Sequence, residues 1–209
     1  MMKMGILLAG CGFYDGTEIG EAVLSALSLE RAGLKVAYLS PDAPQMHTVD
    51  HTTGSEVEHE ARNLLMESAR VARGRIRSLS ELHPGEVDGL IIPGGHGAVK
   101  NLMTGFATPG EPRRLVPAVA ALLSDLAARG APIGAISLGR AVVQTFLDEP
   151  LSESDMRLPA TEVEADEARG LYFTPGFLTG TSLPEVATGI DRMVQAMLRL
   201  PSRRLRVVS

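Results

Sequence analysis

Three short apolar runs, each ending in a tight turn, constrain the fold of this chain more than any other feature: MGILLAG at 4–10, DGLIIPGG at 88–95 and APIGAIS at 131–137. Such runs carry no alternation of polar and apolar residues, as expected of parallel strands buried on both faces. Segments of helical period lie between them. Thr17 to Arg31 has apolar residues at Ile19, Val23, Ala26 and Leu27, with Ala32 beyond, and Gly33 stops it. KVAYLS at 35–40 then reads as a second strand. Residues 56–73 place Ala61, Leu64, Leu65, Ala69 and Ala72 at helical spacing. Pro117 to Arg129 and Leu138 to Leu147 read as two more helices, GLYFTPGF as a further strand, and 184–198 as a closing helix with Val186, Ile190, Met193, Val194 and Met197 on one face. The stretch 148–169 is acidic and irregular. Alternation of this kind predicts an α/β fold with a mostly parallel sheet and helices on both sides. Ligands of such sheets bind at the carboxyl ends of the strands, a rim that here collects Gly10 to Glu18, Gly94 to His96 and Ser137.

Composition narrows the function classes. No Pro-, Gly- or Ser-rich linker divides the 209 residues, so one domain is expected over 1–200, with PSRRLRVVS at 201–209 as a short basic tail. A net charge of −5 lacks the clustered cations that neutralise phosphates, which argues against a nucleic-acid partner. The apolar runs are too short to cross a bilayer, so no membrane partner is expected. The N-terminus reads as a first strand, not a signal, because glycines and Asp15 follow its apolar run. The single cysteine, Cys11, allows no intramolecular disulfide and suits a reducing compartment, so a cytoplasmic protein is expected.

Ser137 is the residue on which function turns. A serine between a strand and a helix is exposed at a helix N-terminus, which suits a nucleophile, an anion-binding group or a simple helix cap. AISLG departs from the hydrolase elbow G-x-S-x-G at Ala135, and all five histidines precede Ser137, opposite to the hydrolase order. Gly10, Gly12 and Gly16 are spaced too widely for the dinucleotide fingerprint, although Asp42 could hold a ribose. His47 and His51 have the i, i+4 spacing of metal ligands, but Pro44 and Gly54 near them favour ordinary loop histidines. Cys11 reads as a small packing residue. No metal and no cofactor are expected.

Taken together, CGFYDGTEIGEA and PGGHGAVKNL, with SPD, VDHTTG and EARNLLMESARVARGRI between them, resemble the ElbB-type glyoxalases of the ThiJ/PfpI superfamily. The likeness runs from Met4 to about Leu147 and returns in TGIDRMV. It implies a flavodoxin-like three-layer sandwich related to class I glutamine amidotransferases, and a homodimer. It also implies a site in which Glu18 matches the family glutamate and Gly94, Gly95 and Leu138 bind substrate or its oxyanion. Ser137 occupies the place of the family cysteine, and His96 stands where an aromatic residue is usual.

Serine for cysteine changes the chemistry, because a hydroxyl stays protonated at neutral pH and needs a base. A Ser137–His96–Glu18 arrangement would supply one. Two readings therefore stand. In the first, the chain is a glyoxalase-like lyase or hydrolase acting on small carbonyl compounds without glutathione or metal. In the second, it is a non-catalytic relative that binds a metabolite, such as a carbonyl compound or hydroxyacid, or a protein partner.

Overall fold

The structure, a computed structural model, describes residues 1–106, 110–151 and 157–199. The basic tail expected at 201–209 lies outside them. A seven-stranded sheet is built from β1 (Lys3–Leu7), β2 (Lys35–Ser40), β5 (Ile76–Ser78), β6 (Gly89–Ile92), β9 (Ile133–Ile136), β10 (Glu164–Asp166) and β11 (Leu171–Thr174). Its spatial order is β10-β11-β9-β6-β1-β2-β5, and every pairing is parallel except β10 with β11. The expected α/β sandwich is the one that forms.

Each central strand contributes to two cores at once. Leu7, Leu90, Ile92, Ile133 and Ala135 face one layer, made of α3 (His96–Asn101), α4 (Pro117–Ala128) and α5 (Gly139–Phe146). Ile6, Leu8, Ile91 and Ile136 face the other, made of α1 (Ile19–Arg31), α2 (Leu64–Val71) and α6 (Leu183–Leu198). A buried Leu or Ile contributes about 1.5–3 kcal/mol, which is why strands of four or five residues hold the sheet. No helix among the described residues is long and apolar enough to cross a membrane.

Two expectations need correction. In α1 the large apolar side chains Ile19, Val23 and Leu27 are exposed, and the buried face is Glu21, Ala22, Ser25, Ala26, Ser28 and Leu29. Small residues turn inward because α1 packs closely on α6, and a buried carboxyl takes one of the inward positions. The helix expected over 56–73 occupies only Leu64–Val71. Asn63 caps its start by accepting from the Met66 N–H, and Arg73 and Gly74 leave helical space with positive φ. The residues before it form a hairpin, β3 (Val49–Asp50) with β4 (Ser55–Glu56), so His47 and His51 do not share a helix face. A second hairpin, β7 (Met103–Thr104) with β8 (Arg114–Leu115), was not anticipated either.

Candidate active site

The chain passes from β9 into α5 over Ser137 and Leu138. Ser137 takes φ +53°, a left-handed conformation that costs a residue with a Cβ about 1–3 kcal/mol. Two backbone bonds hold it there: its N–H donates to Thr174 O at 3.1 Å, and its O accepts from the Arg140 N–H at 3.1 Å. The hydroxyl makes no hydrogen bond among the described residues, and Leu138, not Ser137, is the N-cap of α5. Ser137 is therefore not a helix cap. Strain is spent on aiming a free hydroxyl at the carboxyl end of the sheet.

A fully buried carboxyl lies beside it. Glu21, in the first turn of α1, accepts from the Gly94 N–H through Oε2 (2.8 Å) and from the Phe177 N–H through Oε1 (3.0 Å). Phe177 belongs to the 3-10 turn Gly176–Leu178 that follows β11. A Cβ on Gly94 would fall 2.7 Å from Ser137 Oγ and 2.9 Å from Glu21 Oε2, so both oxygens look onto the same glycine and only glycine leaves room for them. Burial pushes the Glu21 carboxyl up to about 8, against the downward pull of the Phe177 and Gly94 amides and with a further upward push from Glu18. At neutral pH Glu21 is therefore mostly the neutral acid, and it accepts a proton only as it ionises through about 8.

Other expected site residues are placed differently. Glu18 caps α1, its Oε2 accepting from the Glu21 N–H at 2.5 Å, and the carboxyl facing Ser137 across Gly94 is Glu21, one helical turn on. His96 opens α3, where its backbone N–H donates to Phe13 O at 2.8 Å and its Nδ1 lies 3.1 Å from the same oxygen. The ring packs edge-on against Phe13, and no hydrogen bond joins it to Ser137 among the described residues. A Ser–His–Glu triad is thus not assembled. Gly94 spends its N–H on Glu21 and cannot serve an oxyanion. Gly95 and Leu138 can, since their amides have no acceptor among the described residues.

Sequence comparison decides the family. A human protein, "Glutamine amidotransferase-like class 1 domain-containing protein 3, mitochondrial", is 36% identical over 226 residues that cover 96% of this chain and 84% of the relative. The chain belongs to this family. No family model matches it. Among solved structures, an isoprenoid biosynthesis protein with an amidotransferase-like domain from Ehrlichia chaffeensis is 30% identical, with a TM-score of 0.86 over 94% of this chain and 99% of that one. DJ-1 from Toxoplasma gondii, 20% identical with a TM-score of 0.55 over 95% and 91% of the two chains, shares the fold. The fold of this glutamine amidotransferase-like chain is therefore also that of DJ-1. The expectation of a cytoplasmic protein is overturned, since the human relative is named as mitochondrial.

Elsewhere on the rim, Cys11 is a half-buried free thiol, pushed up by burial and by the Glu67 charge, opposite to what a reactive cysteine needs. A cavity of about 500 Å³ opens beside α2, lined by Pro44, Arg62, Asn63, Met66, Glu67 and Arg70, and Ser137 does not line it. Ser137 itself is only 6% exposed, so only a small group can reach its side chain.

Proposed function

We propose that this chain binds a small carbonyl compound or hydroxyacid between Ser137, Glu21 and the Gly95 and Leu138 amides, with Ser137 standing where ElbB-type glyoxalases hold a cysteine. One observation carries the reading: the carboxyl beside the Ser137 hydroxyl is fully buried, and burial pushes it up to about 8, so at neutral pH it is mostly protonated and a poor base for the hydroxyl. A neutral acid, a hydroxyl and two free amides are together suited to hold a carbonyl or carboxylate oxygen. They do not make an alkoxide.

Turnover remains the second reading, favoured by the strained φ of Ser137, which a binding residue does not require. In it, Ser137 Oγ adds to the aldehyde carbon of a dicarbonyl while its proton passes to ionised Glu21. Hydrogen then moves from that carbon to its neighbour, and water hydrolyses the resulting ester to the hydroxyacid. Activity of this kind rises with pH through about 8 as Glu21 ionises.

Calorimetric titration with lactate and glycolate, alongside turnover of methylglyoxal, tests both readings in the wild type, Ser137→Ala and Ser137→Cys. Binding that Ser137→Ala weakens by up to about tenfold, the worth of one hydrogen bond, is expected, with no turnover by the wild type at neutral pH. Neutral-pH turnover abolished by Ser137→Ala would replace the binding reading with the catalytic one. Absence of both binding and turnover at any pH would refute both.

A further inference from the structure

The loop from Gly10 to Thr17 rests on the β3–β4 hairpin through a histidine whose two ring nitrogens are both committed. The Tyr14 N–H lies 3.2 Å from His51 Nε2. An amide always donates, so Nε2 carries no proton and the proton of the neutral ring is on Nδ1, which donates to Val49 O at 3.0 Å. Beside the ring lies Asp15, 1% exposed, whose Oδ2 accepts from the Val49 N–H at 2.8 Å. Its Oδ1 is buried, has no hydrogen-bond partner among the described residues, and stands 3.8 Å from His51 Nε2. A Cβ on Gly12 would fall 2.5 Å from Nε2 and 3.0 Å from Oδ1, so that glycine is what lets ring and carboxylate approach.

We propose that His51 and Asp15 form a pH-sensitive latch on this loop. A proton taken from solvent at Nε2 ends its capacity to accept from Tyr14 and turns it into a donor facing the one unsatisfied oxygen of Asp15. A shift of less than 1 Å from the present 3.8 Å makes that contact a charge-assisted hydrogen bond. Protonation therefore exchanges one bond for another: the Tyr14 amide is released and Asp15 Oδ1 is satisfied. The loop stays tethered to α3, where the His96 N–H and Nδ1 hold Phe13 O and Lys100 Nζ holds Tyr14 O at 3.1 Å. The other charged groups facing this place are accounted for. Asp50 is bound to the Thr52 N–H and hydroxyl, His47 lies 3.9 Å from Glu56 across the hairpin, and on the α2 side Arg62 is paired with Glu60 and Glu67. Phe13 and His96 pack on each other one residue from Gly95, so the latch adjoins the start of α3.

NMR titration of the full chain tests this over the range in which imidazoles titrate, about pH 5 to 8, with His51 assigned from the spectrum of His51→Gln. At the alkaline end the His51 ring is expected as the Nδ1–H tautomer. On acidification the Tyr14 amide shifts with the midpoint of the His51 ring, and its hydrogen-exchange protection falls about tenfold or more. Asp15→Asn keeps an acceptor for the Val49 N–H and loses the charge, so the His51 midpoint is expected to fall. A Tyr14 amide that ignores the His51 titration, or an unmoved midpoint in a folded Asp15→Asn protein, overturns the latch. If Asp15→Asn does not fold, the Tyr14 amide decides alone: its pH step must vanish in His51→Gln, and a step that survives there overturns the proposal.

Discussion

Replacing Glu21 with Gln changes how stability depends on pH more than it changes stability itself. The native carboxyl titrates at about 8, against an ordinary 4.5. Between those values the native state holds a proton that the unfolded chain has released, so rising pH favours unfolding. The slope is about 1.4 kcal/mol per pH unit, and the stability contributed by the protonated group, about 5 kcal/mol, is complete below 4.5 and lost as pH rises through 8. Gln has no such titration. Its amide can satisfy only one of the two N–H groups that now point at Glu21, from Gly94 and Phe177, at a cost of about 1–3 kcal/mol. In urea unfolding followed by far-ultraviolet circular dichroism, suited to a chain without tryptophan, Glu21→Gln should be the less stable protein at acid pH. It should overtake the wild type between about pH 5 and 7, where the proton-linked loss in the wild type exceeds that cost, and stay ahead up to 8. Parallel pH profiles for the two proteins would show that Glu21 is ionised in the native state, and the acid beside Ser137 would then be a base.

Two other substitutions probe the same corner, and a third probes the core away from it. Ser137→Gly relieves the left-handed backbone and should raise stability by about 1 kcal/mol while weakening ligand binding by up to about tenfold, read from the melting temperature together with calorimetry. Gly94→Ala drives a methyl group to within 3 Å of both Ser137 Oγ and Glu21 Oε2. It should cost about 1–3 kcal/mol and eliminate binding, where an unaffected affinity would place the ligand elsewhere. Leu90→Ala, at a fully buried position of β6, should cost about 2–5 kcal/mol in urea unfolding without altering the affinity of the protein that remains folded.

The central strands were legible because β1, β6 and β9 bury both faces and must be apolar throughout, a constraint that leaves a mark on any sequence. The edge strands carry no such mark. β5 is Ile76–Arg77–Ser78 and β10 is Glu164–Ala165–Asp166, each paired on one side only, so their polar residues read as loop. At the rim the expected partner of Ser137 was Glu18, whereas the carboxyl that faces it across Gly94 is Glu21. Glu18 and Glu21 are three apart in TEIGEA, Glu18 as the cap of the helix and Glu21 in its first turn. Hydrophobic periodicity pointed the wrong way, because Ile19, Val23 and Leu27 mark the outward face. A better signal lay in the small residues, since Glu21 is in line with Ser25 and Ser28, at i+4 and i+7, on the face that packs closely. His96 was attractive as a base from its position after Gly95, but a residue that begins a helix points where the turn sends it, and here that is Phe13.

The sheet order also dictates when in synthesis the molecule can close. β1, made first, ends up as the third strand from one edge, with β2 on one side and β6 on the other. Its second neighbour emerges only after residue 89, and the strand beyond that, β9, only after residue 133. A nascent chain therefore displays GILLA and then GLII as unpaired, wholly apolar edges for much of its elongation. The polar strands that seal the two sides of the finished sheet, β5 and β10, are completed at residues 78 and 166. The interval between them is the period in which a ribosome-bound chaperone would have most to protect.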